Sequence, residues 1–327
     1  ISLSQEHMQS ADPIDQHYMY KLTDLLAVGN MMAMLDPTMS FESLNDIVDL
    51  GSNDTKASYE NILDGFRKML GVYGTYGVPT PVGDAGESAG SRIKYYENLF
   101  DLQDSDNFKN LVGKVNVIKI WVNVDQAKSS YSQFLSLYFG VPFILTAPTN
   151  IEALLSGLHP DLYAAWSADQ SLSAEDRKNG KANFSDEWYL DSAAYLRLLM
   201  ERNKNDIDKL ESSDPDGKDG FYIKVANDDN DAHHVFSGST NSSNYFQEPY
   251  APRIILGTID DNDNATRGGD GNDRIYGLGG DDKLNGLKGN DVLEGGAGDD
   301  ELNGGEGADI LKGGQGKDNY IFNDDFG

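Results

Sequence analysis

The chain of 327 residues contains no cysteine, which excludes a disulfide framework and any thiolate zinc site. Positive charge is scarce: 26 Lys and Arg stand against 54 Asp and Glu, a formal net charge of −28. Bare nucleic acid and anionic membrane surfaces would repel such a chain, so neither is an expected partner. No apolar run is long enough to span a bilayer, and no signal peptide opens the sequence. None of the five histidines (His7, His17, His159, His233 and His234) stands in an HExxH pattern, which disfavours a zinc peptidase. The sequence begins at Ile1 rather than Met and stops just after its last repeat, so both ends are expected to be cut.

Glycine, by contrast, is abundant and periodic. From Gly268 to Ile321, six nine-residue units follow one another without insertion: GGDGNDRIY, GLGGDDKLN, GLKGNDVLE, GGAGDDELN, GGEGADILK and GGQGKDNYI. Their sixth position is always aspartate: Asp273, Asp282, Asp291, Asp300, Asp309 and Asp318. Their eighth is apolar: Ile275, Leu284, Leu293, Leu302, Leu311 and Tyr320, with a slip of register expected at Val292 and Ile310, which are apolar one place earlier. Glycines let the first positions turn tightly and aim carbonyls at one spot, while the short tail is a minimal strand with its side chain inward. Such units bury a column of Leu and Ile only when stacked, about three being needed for stability. A flexible Gly/Asp linker would require no apolar residue every ninth position.

Calcium takes about six to eight oxygen ligands from carboxylates and carbonyls, which is what stacked Gly-Asp turns present. The block closely resembles the RTX (repeats-in-toxin) family. That resemblance implies a parallel β-roll with calcium between successive turns, the six aspartates as metal ligands, and folding outside a bacterial cell after type I secretion.

Upstream, apolar spacing predicts helices over Asp15–Asp36, Thr55–Leu70, Arg92–Leu111 (one or two), Gln126–Phe139, Ile151–Trp166 and Asn183–Asn203. The glycine- and proline-bearing loop 71–89 ends the second. Val115–Val122 is the best strand candidate before the repeats. From Ser212, the segments FYIKVA, HHVF and PRIILG read as short strands that bridge to the roll and cover its edge, and IDDNDNATR (259–267) as a degenerate opening turn. The expected fold class is therefore α+β: a mainly helical N-terminal domain (1–211), a β segment (212–267) and a C-terminal calcium-bound parallel β-roll (268–327).

Gly86-Glu87-Ser88-Ala89-Gly90 matches the Gly-x-Ser-x-Gly nucleophile elbow, which makes Ser88 a candidate nucleophile. That elbow follows a buried strand, whereas GTYGVPTPVGDA precedes it here, and a Gly/Ser-rich loop before a helix is the alternative. His233 and His234 lie between acidic turns, as ligands or as an exposed pair. The stretch beginning DPIDQHYMYKLTDLL, with Asn183-Phe184-Ser185-Asp186 downstream, resembles the segment that follows the α/β-hydrolase domain of RTX lipase-like proteins. The resemblance implies that His17 is the general base of a serine ester hydrolase triad whose serine and acid lie in an upstream domain; a helix-start histidine packing beside Tyr18 and Tyr20 is the other reading. The expected function is the calcium-binding region of a secreted RTX protein attached to a lipase- or esterase-like domain, with calcium ions and the type I secretion machinery as partners. The alternative is a non-enzymatic adhesin or cell-surface module.

Overall fold

In the computed structural model, the residues described are 13–51, 58–72, 89–205, 221–223, 234–238, 253–257 and 265–322. The chain divides into two compact units, residues 1–120 with 141–154, and residues 121–140 with 155–327. Among the described residues no helix is long and apolar enough to cross a membrane.

The first unit carries helices α1 (Pro13–Leu35), α2 (Phe41–Gly51), α3 (Ser58–Met69), α4 (Ala89–Asp104) and α5 (Asp106–Leu111). Strands β1 (Asn116–Lys119) and β2 (Phe143–Thr146) pair antiparallel within it, Val117 opposite Leu145. Val28, Met31, Met32 and Leu35 of α1 and Ile62, Leu63, Phe66 and Met69 of α3 form its core, with Phe66 stacked on Phe143 at 4.2 Å between ring centroids. Asp36 ties the end of α1 to β1. Its carboxylate accepts from Thr38 N and Oγ1 (2.9 and 2.6 Å), Asn116 Nδ2 (3.1 Å) and Val117 N (3.1 Å). Burial works to raise its pKa, yet these bonds hold it below the ordinary carboxylate value.

Helices α6 (Val124–Ser129) and α7 (Tyr131–Phe139) begin the second unit; α8 (Ile151–Leu155) runs across the division, and α9 (Pro160–Asp169), α10 (Ala174–Lys178) and α11 (Asp186–Asn205) follow. The single helix expected over Gln126–Phe139 is two, because Ser130 adopts extended backbone (φ −130°, ψ 113°). Phe134, Tyr131, Trp166, Phe184 and Trp188 pack as an aromatic core, with Phe134 and Phe184 edge to face at 4.7 Å. The Asn-Phe-Ser-Asp run is a helix entry. Buried Asp169 accepts from the backbone N–H of Asn183 and Phe184 (2.9 Å each), and Ser185 Oγ accepts from Trp188 N (3.0 Å).

The remaining described strands of this unit build a parallel β-roll. Strands β3 (Phe221–Ile223), β4 (His234–Gly238), β5 (Arg253–Leu256), β6 (Ala265–Arg267), β7 (Arg274–Gly279), β8 (Lys283–Lys288), β9 (Val292–Ala297), β10 (Glu301–Glu306), β11 (Ile310–Gln315) and β12 (Asn319–Ile321) form two sheets. One runs β12-β10-β8-β6; the other runs β11-β9-β7-β5-β4-β3, antiparallel only where β5, β4 and β3 meet. Successive repeat units thus alternate between sheets, and one full turn takes two of them. Leu293 lies beside Ile275 and Leu311, and Leu302 beside Leu284 and Tyr320. Between the sheets Ile255, Ile275, Leu284, Leu293 and Leu302 form one cluster, with Leu311 packed against it. The register does not slip at Val292 or Ile310: Ile310 is 54% exposed, and pairing of each turn with the next keeps Leu293 and Leu311 inward.

Candidate metal centre

The repeat loops bury the first four sixth-position aspartates and leave Asp309 and Asp318 half-buried. Asp273, Asp282, Asp291 and Asp300 are at most 1% exposed. Asp291 Oδ1 accepts from Asp273 N (2.7 Å), Asp300 Oδ1 from Asp282 N (2.9 Å), Asp309 Oδ1 from Asp291 N (2.9 Å) and Asp318 Oδ1 from Asp300 N (3.2 Å). The six aspartates therefore form two columns, one along each side of the roll, with one oxygen of each linked carboxylate engaged by the turn before.

The other oxygen faces the first glycine of its own unit. A Cβ at Gly268, Gly277, Gly286 or Gly295 would run into Oδ2 of Asp273, Asp282, Asp291 or Asp300, and also into the carbonyl oxygen of Gly286, Gly295, Gly304 or Gly313, at 2.5 to 2.6 Å. Carboxylate and carbonyl oxygens converge there in the first four units, while Gly304 and Gly313 face only Asp309 and Asp318 of their own units. Oδ2 of Asp291 and Oδ2 of Asp300 are buried and accept no hydrogen bond. Two acceptors packed together without a donor are unfavourable unless a cation joins them. Burial first, with repulsion from Asp273 and Asp309 added, pushes Asp291 up to about 7; burial, with Asp318, Asp281 and Asp299, pushes Asp300 up to about 6. The donor set fits a hard cation: one sixth-position carboxylate per nine-residue unit with backbone carbonyls, and no sulfur. Among the described residues no three Asp, Glu or His side chains cluster as a side-chain-only site.

The fifth position carries a second ladder that the sequence reading did not single out. Asn272 Oδ1 accepts from Asn290 N, Asp281 Oδ1 from Asp299 N, Asn290 Oδ1 from Ala308 N and Asp299 Oδ1 from Lys317 N, all at 2.8 to 2.9 Å. Its signal is Asn or Asp at that place in the first four units. Asymmetry at the second position is the other departure: Leu278 and Leu287 stand there with φ of 83° and 78°, where four units have glycine.

Of the candidate catalytic residues, Ser88 lies outside the described residues and His17 lies within α1, its side chain outside them; of the candidate ligand pair, His233 lies outside the described residues and His234 opens strand β4, its side chain outside them. His159 precedes α9 and packs on Phe139 at 5.1 Å between rings.

Residues 260–293 and 286–320 match a family model described as RTX calcium-binding nonapeptide repeat (4 copies). The repeats are of the RTX type, and RTX nonapeptide repeats bind calcium ions. No curated protein and no solved structure matches the chain. The resemblance of the upstream segment to lipase-like proteins accordingly finds no support, since the family match begins at residue 260.

Proposed function

We propose that this chain is a calcium-responsive module whose roll folds when calcium reaches it outside the producing cell, after export by a type I secretion route. Residues that would hold the ion are Asp273, Asp282, Asp291, Asp300, Asp309 and Asp318, the first four with the carbonyls of Gly286, Gly295, Gly304 and Gly313. Bound calcium supplies the positive charge that neutralises two columns of carboxylates. The observation that carries this reading is the convergence of unpartnered Asp291 Oδ2 and Asp300 Oδ2 on the carbonyl oxygens of Gly304 and Gly313. Because the unfolded chain has no preformed site, binding energy becomes folding energy. Low calcium inside the cell keeps the roll open for export, and millimolar calcium outside closes it.

Calorimetric calcium titration of the whole chain, beside Asp291→Asn and Asp300→Asn, tests the assignment. Each variant should lose affinity or stoichiometry; wild-type behaviour in both would refute it. Attachment to a lipase- or esterase-like domain is a further part of this reading and rests only on the resemblance around His17. Fluorophosphonate labelling with an ester assay addresses it: an adduct at Ser88 with turnover would make this chain itself a hydrolase, and none would leave any chemistry to other domains.

A further inference from the structure

Part of the outer face of the longer sheet, on β7, β9 and β11, meets residues between 177 and 191 of the same unit. Asp191 of α11, side chain 11% exposed, accepts Arg274 Nε (2.7 Å), Arg274 Nη2 (2.6 Å) and the hydroxyl of Tyr276 (2.7 Å), both on β7. Two turns further along, Gln315 of β11 donates Nε2 to the Lys181 carbonyl (3.3 Å) and to Asn183 Oδ1 (3.2 Å). Between these points Glu294 of β9 pairs with Lys312 of β11 at 2.6 Å. A cavity of about 20 Å³ lies between residues 177–185 and strands β7, β9 and β11, room for little more than one water. The segment from Lys181 to Asp191 thus spans three stacked strands.

We infer that calcium-driven stacking of the roll also orders the helical layer, with Asp191 as the latch; this rests on the calcium reading above. The hydrogen bonds described for Asp191 come from β7, so an open roll removes all three at once and with them the ion pair that fixes this turn of α11. Arg274 directly follows Asp273, so the strand that engages the latch begins one residue after the first sixth-position aspartate of the repeats. The anchors at β7 and at β11 hold their relative positions only when the turns are stacked. Calcium is then read out at α11 and, through Trp188 and Phe184, in the aromatic core.

Hydrogen exchange of the whole chain, with calcium and with chelator, tests this, using peptides over 186–197 and over 274–315. Trp166 and Trp188, 3% and 1% exposed, add a fluorescence readout of the helical core. Protection of 186–197 should fall at least about tenfold on chelation, at the same calcium midpoint as the roll. In Asp191→Asn, calcium should still protect the roll while protection of 186–197 drops by about tenfold or more, as expected for losing charge-assisted hydrogen bonds. Arg274→Gln, altering a side chain 44% exposed, should do the same and serves if the first variant does not fold. Unchanged protection of 186–197 while the roll responds to calcium, or wild-type protection there in both variants, overturns the latch and leaves the calcium reading intact. A roll indifferent to calcium overturns both.

Discussion

Replacing Leu293 by alanine should raise the calcium concentration needed to fold the chain, although Leu293 ligates nothing. It is fully buried, at the middle of the Ile275, Leu293 and Leu311 column, and packs between the two sheets. Truncating such a side chain costs about 2–5 kcal/mol. If about four ions enter with folding, a loss of about 3 kcal/mol spread over them raises the midpoint roughly threefold; a single ion would move it more than a hundredfold. Ile310→Ala is the control, since that side chain is 54% exposed and its loss should change stability by no more than about 0.5 kcal/mol. Calcium titrations followed by circular dichroism give both midpoints. Equal shifts in the two variants would refute the coupling of calcium uptake to burial of this core, and a larger shift for Ile310→Ala would refute the register.

Four further outcomes follow from the same geometry. Leu287 holds φ 78° at 37% exposure, so Leu287→Gly should stabilise the roll by up to about 1 kcal/mol by removing left-handed strain, seen as a lower calcium midpoint. Leu278→Gly relieves similar strain at φ 83° but removes a side chain only 4% exposed, so about 2 kcal/mol of burial is lost and the midpoint should rise. Gly286→Ala drives a methyl against Asp291 Oδ2 and the Gly304 carbonyl; calorimetry should show loss of binding with every carboxylate still present. In the calcium-free protein, burial raises Asp291 to about 7 and Asp300 to about 6 from 3.8, so the folded roll binds more protons than the unfolded chain. That contribution is complete below the unfolded value and lost as pH rises through about 6 to 7. Calcium-free protein should therefore be more ordered at pH 5 than at pH 8, while calcium, which must displace those protons, should bind more weakly at the lower pH.

The roll is legible in the sequence because a fixed period leaves little freedom: Gly for the turn, Asp for the charge, Leu or Ile for the core. The alternation of units between two sheets is not visible in a nine-residue period, since units facing either sheet have the same pattern; stacking at twice that period appears only in the pairing of Ile275 with Leu293 and Leu284 with Leu302. Upstream, α1, α3 and α11 follow from apolar spacing. Strand β2 escapes it because Phe143–Thr146 is four residues long and takes its extended form from β1. Asp191 is equally silent as a sequence feature. One acidic residue on a helix looks solvated until Arg274 and Tyr276, more than eighty residues away, are brought against it.

The central claim is that calcium builds the roll. Far-UV circular dichroism of the whole chain, titrated with calcium and then with magnesium, tests it most directly. The account predicts that β-structure appears with calcium and not with equal magnesium, which demands tighter octahedral geometry and gives up its water reluctantly. An identical spectrum with calcium and with chelator would contradict it.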